Sequence, residues 1–121
     1  MIGYATIGTN DLEKARLFYD AVASALDGRR IPSPERMQMY GGANGTAIAV
    51  CQPYDGGPAG VGNGSMFALA AQSHEAVDAA HAAALAAGGT CEGPPGDRGG
   101  GFYGAYFRDL DGNKLCAYKM G

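Results

Sequence analysis

The sequence is poor in the features that mark most specialised proteins. Charged residues fill only 17% of its 121 positions, and the nine Lys and Arg are scattered, so the basic stripe of a nucleic-acid binder is missing. No run approaches the ~20 apolar residues of a membrane-spanning helix. The opening Met1-Ile-Gly-Tyr-Ala-Thr-Ile-Gly8 lacks the basic start and long apolar stretch of a secretory signal. Cysteine is limited to Cys51, Cys91 and Cys116 without C-x-x-C spacing, which argues against a disulfide framework or a structural zinc site. Reduced thiols and no leader predict a cytoplasmic protein. A formal charge of −3 is too small to imply a strongly charged partner, and a neutral or mildly cationic small molecule fits it better.

What is present is a loop-rich single domain: 46% apolar residues and 21 glycines in a length that supports one core. Ile2 to Gly8 reads as a strand, with Thr9-Asn10 as cap residues for a helix from about Asp11 to Leu26. Leu12, Ala15, Tyr19, Val22 and Leu26 share one face of that helix, and Asp27-Gly28 ends it. Arg36 to Tyr40 and Thr46 to Cys51 read as a hairpin across Gly41-Gly-Ala-Asn-Gly45. Pro53 to Gly64, rich in Pro and Gly, is a loop. Then the order recurs: a strand over Ser65 to Ala70, a Ser73 cap, a helix over His74 to Ala87 and a Gly88-Gly89 stop. A short strand at Thr90 to Glu92 and a mobile loop over Gly93 to Gly101 follow. The chain closes on Tyr103 to Arg108 and Lys114 to Met120 across the turn Asp109-Leu-Asp-Gly-Asn113. Asn44-Gly and Asn63-Gly read as turns rather than glycosylation sites.

Each half is therefore β-α-β-β-β, giving a first module over about 1–54, a linker over about 55–64 and a second module over about 65–121. The fold class is α+β, with paired curved mixed sheets forming a cup and the helices outside. With these modules in place, Thr9-Asn-Asp-Leu-Glu-Lys-Ala-Arg-Leu-Phe-Tyr19 and the closing Phe107-Arg-Asp-Leu-Asp-Gly-Asn-Lys-Leu115 resemble the vicinal oxygen chelate superfamily, which includes glyoxalase I, bleomycin-resistance proteins and extradiol dioxygenases. The resemblance covers the whole chain. It implies a small organic ligand in the cup and a homodimer with sites near the interface.

The same resemblance implies His or Glu at four cup-facing positions in the metalloenzymes of the family. Here they fall on Tyr4, on Ala49 or Cys51, on Met66 and on Cys116. None is a hard or borderline donor of the usual kind. No metal or other cofactor is expected, and a metal-independent binding protein of the sequestration type is the preferred reading. A divergent glyoxalase-like lyase or isomerase, and a structural or regulatory module, are the alternatives. The candidate ligand-binding residues are Tyr4, Gln52, Met66, Arg98, Tyr103, Cys116 and Tyr118; no catalytic residue is assigned.

Three other patterns are explained without a site. Gly99-Gly-Gly-Phe-Tyr-Gly104 satisfies a dinucleotide fingerprint but is followed by a strand instead of a helix. Asp109-Leu-Asp-Gly-Asn113 begins like a calcium loop, with its glycine two residues early. His74 and His81, the only histidines, lie on the second helix and are expected at the surface.

Overall fold

A computed structural model describes residues 1–42 and 45–121. Asn44 and the middle of the first hairpin loop lie outside the described residues. The order is β1 (Tyr4–Gly8), α1 (Leu12–Ala25), β2 (Arg29–Ile31), β3 (Met37–Gly41), β4 (Ala47–Cys51), β5 (Phe67–Ala70), α2 (His74–Ala86), β6 (Thr90–Asp97), β7 (Phe102–Arg108) and β8 (Lys114–Met120). Sheet A has the order β1-β4-β3-β2 and sheet B the order β5-β8-β7-β6. In each, the strand before the helix pairs parallel with the module's last strand, and the remaining pairs are antiparallel. This is the expected α+β architecture: two βαβββ modules with open mixed sheets. Among the described residues, no helix is long and apolar enough to cross a membrane.

Both helices begin where a side-chain oxygen meets the first free amides. Ser73 caps α2 as expected, its Oγ accepting from Ala76 N at 3.1 Å. In α1 the cap is Asp11 instead of Thr9-Asn10, with Asp11 Oδ1 accepting from Lys14 N at 3.1 Å. Thr9 Oγ1 accepts from Asp11 N, and Asn10 Oδ1 ties down Ala59 N at 2.7 Å, so those two residues fix the junction before the helix.

One core serves both modules. Phe18, absent from the expected helix stripe, is fully buried beside Tyr19, Val22 and Leu12 of α1. It meets Phe107 of β7 at 6.4 Å between ring centroids. Val77, Ala80 and Ala84 of α2 are completely buried, and their small size lets the two helices touch. Gly89 marks another close approach, since a Cβ there would lie 2.5 Å from Arg108 O and 2.8 Å from Phe18 Cε2.

The closing turn fastens the second module to the first. Asp109 is buried; its Oδ1 accepts from the amides of Asp111 and Asn113, and its Oδ2 accepts from Tyr19 Oη at 2.6 Å and from Asn113 Nδ2. Asn113 Nδ2 also donates to Gly8 O, and Asp111 Oδ1 accepts from Asn10 N. The carboxylates that imitate a calcium loop thus serve backbone amides and a phenol.

Two further expectations need correction. β6 runs through Asp97, so the loop expected over Gly93 to Gly101 shrinks to a turn at Arg98 to Gly101. As an edge strand, β6 admits Pro94 and Pro95, and its pairing with β7 slips between Cys91 and Gly93 and again before Gly96. His81 is buried, not superficial: its Nε2 lies 3.2 Å from Cys91 Sγ, and desolvation lowers its pKa.

Candidate functional site

Strand alternation divides each sheet into a helix-facing side and an outer side. In sheet A, Ile7, Tyr40 and Val50 enter the core. The outer rows run Tyr4, Ala47, Gly41, Arg29 and then Thr6, Ala49, Met39, Ile31, with Gly8, Cys51 and Met37 beyond. In sheet B, Ala105, Phe107, Leu115 and Ala117 enter the core. The outer rows run Ala70, Tyr118, Gly104, Gly96, then Ala68, Cys116, Tyr106, Gly93, then Lys114, Arg108, Thr90. These outer faces are the concave walls that the cup requires. Because both helices pack on the opposite sides and on each other, the two walls of one chain do not face each other.

The repeat settles which residue of the first module corresponds to Cys116. Tyr4 and Met66 stand at the same distance ahead of their caps, Asp11 and Ser73. Thr6 and Ala68 are likewise equivalent, and their cross-strand partners are Ala49 and Cys116. By the resemblance, the four ligand positions of the family's metalloenzymes would fall on Tyr4, Ala49, Met66 and Cys116. A phenol, a methyl group, a thioether and one buried thiol do not suit a divalent ion of nitrogen and oxygen preference. Among the described residues, no group of three or more His, Cys, Asp or Glu converges on a point. The residues present do not fit the family's metal.

The predicted site residues separate into groups. Tyr4, 59% exposed, lies on the outer face of sheet A, and Met66, 41% exposed, lies just before β5. Cys116 and Tyr118 occupy the outer side of β8, and the Tyr118 ring stacks on Phe102 at 5.4 Å. Arg98 reaches the same face, its guanidinium 5.5 Å from the centre of the Tyr106 ring. Gln52 is apart, at the end of sheet A, where its backbone pairs with Arg36. It lines an open polar hollow of about 530 Å³ with Asn10, Arg16 and Pro34. Tyr103 points the other way: its ring stacks on His74 of α2 at 4.1 Å and its hydroxyl donates to Asp78 at 2.7 Å.

Tyr106, one of the strand tyrosines whose alternation allows a cup-facing place, belongs to the outer face of sheet B together with Phe102 and Lys114. The five-residue closing turn held the signal for that placement. Once Arg108 pairs with Lys114, alternation puts Tyr106 beside Cys116 and Phe102 beside Met120. Lys114 Nζ lies 5.6 Å from the centre of the Tyr106 ring.

The electrostatics of this wall suit binding more than nucleophilic attack. Burial raises the pKa of the Cys116 thiol, although Arg98, the Tyr106 hydroxyl and Lys114 pull in the other direction. A protonated thiol is a poor nucleophile. Glu92 on β6 accepts from Arg108 Nε at 2.6 Å, and that guanidinium holds the carboxyl below its usual range.

Known proteins agree with this architecture. A model of the Glyoxalase/Bleomycin resistance protein/Dioxygenase superfamily matches residues 1–117. Comparison with curated protein sequences finds no match. Among solved structures, a glyoxalase/bleomycin resistance protein from Albidiferax ferrireducens T118 is 42% identical, with a TM-score of 0.93 over 100% of this chain and 99% of its own. A hypothetical protein from S. aureus is 25% identical, with a TM-score of 0.74 over 96% and 91% of the two chains. A family enzyme from Burkholderia phytofirmans PsJN, at 21% identity and a TM-score of 0.76 over 98% of both chains, shares the fold. A family match spanning both modules, joined to a paired βαβββ architecture that the relatives reproduce, makes this chain a member of the glyoxalase/bleomycin resistance/dioxygenase superfamily.

Proposed function

We propose that this chain binds a small organic molecule, without a metal and without making or breaking bonds, in a cup shared by two copies. The carrying observation is the composition of the outer walls. Tyr4, Met39, Phe102, Tyr106 and Tyr118 offer apolar and aromatic surface, while Tyr4, Ala49, Met66 and Cys116 hold the positions that ligate metal in the family's enzymes. Aromatic walls with a few polar tips are the usual lining of an organic-ligand site. The orientation of the walls supports the homodimer. Since the helices separate them within one chain, sheet A of one copy has to meet sheet B of another to enclose a ligand. Three free thiols suit a reducing compartment such as the cytoplasm.

The test is metal analysis of protein purified without chelator, followed by activity assays with added nickel, zinc, manganese or iron. The proposal expects no stoichiometric metal and no metal-dependent turnover. A stoichiometric ion that restores lyase or isomerase activity would overturn it in favour of a divergent glyoxalase-like enzyme.

A further inference from the structure

The whole chain is acidic, with a formal charge of −3, yet the outer face of sheet B has the opposite sign. Arg98, Arg108 and Lys114 lie on it, and Glu92 is the carboxylate that alternation and its ion pair place with them. Glu92 is taken by Arg108. Among the described residues, neither Arg98 nor Lys114 forms an ion pair, which leaves an excess of two positive charges on a wall that is otherwise aromatic.

Arg98 is also held in position. Its Nη2 donates to Pro94 O at 2.5 Å, and its guanidinium lies against the two glycines of β6, Gly93 and Gly96. A Cβ at Gly96 would stand 2.8 Å from Arg98 Nη1, and one at Gly93 would stand 3.3 Å from Nη2 and 3.0 Å from Tyr106 Cδ2. The two glycines therefore form a seat for the guanidinium beside Tyr106. A cation that is fixed in place with donors to spare is suited to recognising an anion. Lys114 flanks the same ring, and the stacked Phe102 and Tyr118 rings supply a flat apolar surface next to it.

We propose that the ligand of this wall is a flat organic anion, an aromatic carboxylate in chemical class, with its acidic group taken by Arg98 and Lys114 and its ring against Tyr106, Phe102 and Tyr118. The inference rests on the reading of this face as one wall of the binding cup. It reverses the neutral or cationic ligand that net charge favours, because net charge averages over surfaces that never meet the ligand.

The experiment is an NMR titration of the full chain with benzoate, benzamide and benzamidine, which share a ring and differ in charge. Benzoate is expected to shift the amide signals of Tyr106, Cys116 and Tyr118, and benzamidine to bind about tenfold more weakly or worse. Arg98→Gln is expected to weaken benzoate about tenfold while leaving benzamide unchanged. Gly96→Ala, which displaces the guanidinium without removing it, is expected to weaken benzoate selectively. Benzamidine or benzamide binding to these residues as tightly as benzoate would overturn the anion assignment alone and leave the cup standing. No shift at Tyr4, Tyr106 or Cys116 with any of the three would overturn both readings.

Discussion

Removing the Tyr19 hydroxyl tests how the modules are joined. In Tyr19→Phe the ring keeps its place beside Phe18 and Tyr40, and only the 2.6 Å bond to Asp109 is lost. Both residues are buried. Asp109 keeps two backbone amides and the Asn113 side chain, so the carboxylate is weakened but not abandoned. A hydrogen bond to a charged group contributes about 1.5–3 kcal/mol, and about 2 kcal/mol is expected here. At about 4 °C per kcal/mol for a domain of this size, Tm should fall by about 8 °C. Asp109→Ala strands the phenol and the Asp111 and Asn113 backbone N–H groups, while Asn113 Nδ2 keeps its bond to Gly8 O, and should cost about 4 kcal/mol. Urea denaturation of both single variants and the double variant gives the coupling, expected to exceed about 1 kcal/mol. A Tyr19→Phe protein within about 0.5 kcal/mol of the parent, or additive costs in the cycle, would refute the role given to the closing turn.

Three further outcomes follow from the same geometry. Burial, and then the Asp109 carboxylate, raise the Tyr19 phenol well above its ordinary value of 10.0. The stabilisation it provides is therefore complete below about pH 10 and is lost as pH rises through the native pKa, so Tyr19→Phe should flatten the alkaline limb of a stability profile. Thiol labelling in the native state should modify exposed Cys91 first and buried Cys116 last, as peptide mapping by mass spectrometry would show; early loss of Cys116 would contradict the packing of β8. Gly89→Ala forces a Cβ against Arg108 O, Phe18 and Ala84 O and should cost about 3 kcal/mol in a denaturant titration, whereas Gly60→Ala, with nothing near its Cβ, should be close to neutral.

The fold was legible because its signals are local. Caps, helix stripes and the polar turn at Asp109 to Asn113 all lie within a few residues of the elements they define, and their recurrence after Pro53 to Gly64 exposed the repeat. Distant partners were not legible. Tyr19 meets Asp109 across most of the chain, and nothing near either residue announces the other. Gly93-Pro-Pro-Gly96 has the composition of a breaker and became part of β6 because an edge strand tolerates missing donors and slipped pairing. For the same reason, the seat that Gly93 and Gly96 make for Arg98 could not be read from composition. Tyr103 and Tyr118 look alike in sequence, but they stand an odd and an even number of residues from Phe102, and alternation sends Tyr103 to α2 while Tyr118 joins the outer face.

The most direct test of the shared cup is a crystal structure of the protein as purified, read for what stands opposite the outer face of sheet B. The account predicts the outer face of sheet A from a second copy, with Tyr4 and Met39 facing Tyr106 and Tyr118 across a cavity and no anomalous metal signal among Tyr4, Ala49, Met66 and Cys116. A monomer with both faces in solvent, a dimer joined elsewhere with these faces packed shut, or a metal ion at those positions would contradict it.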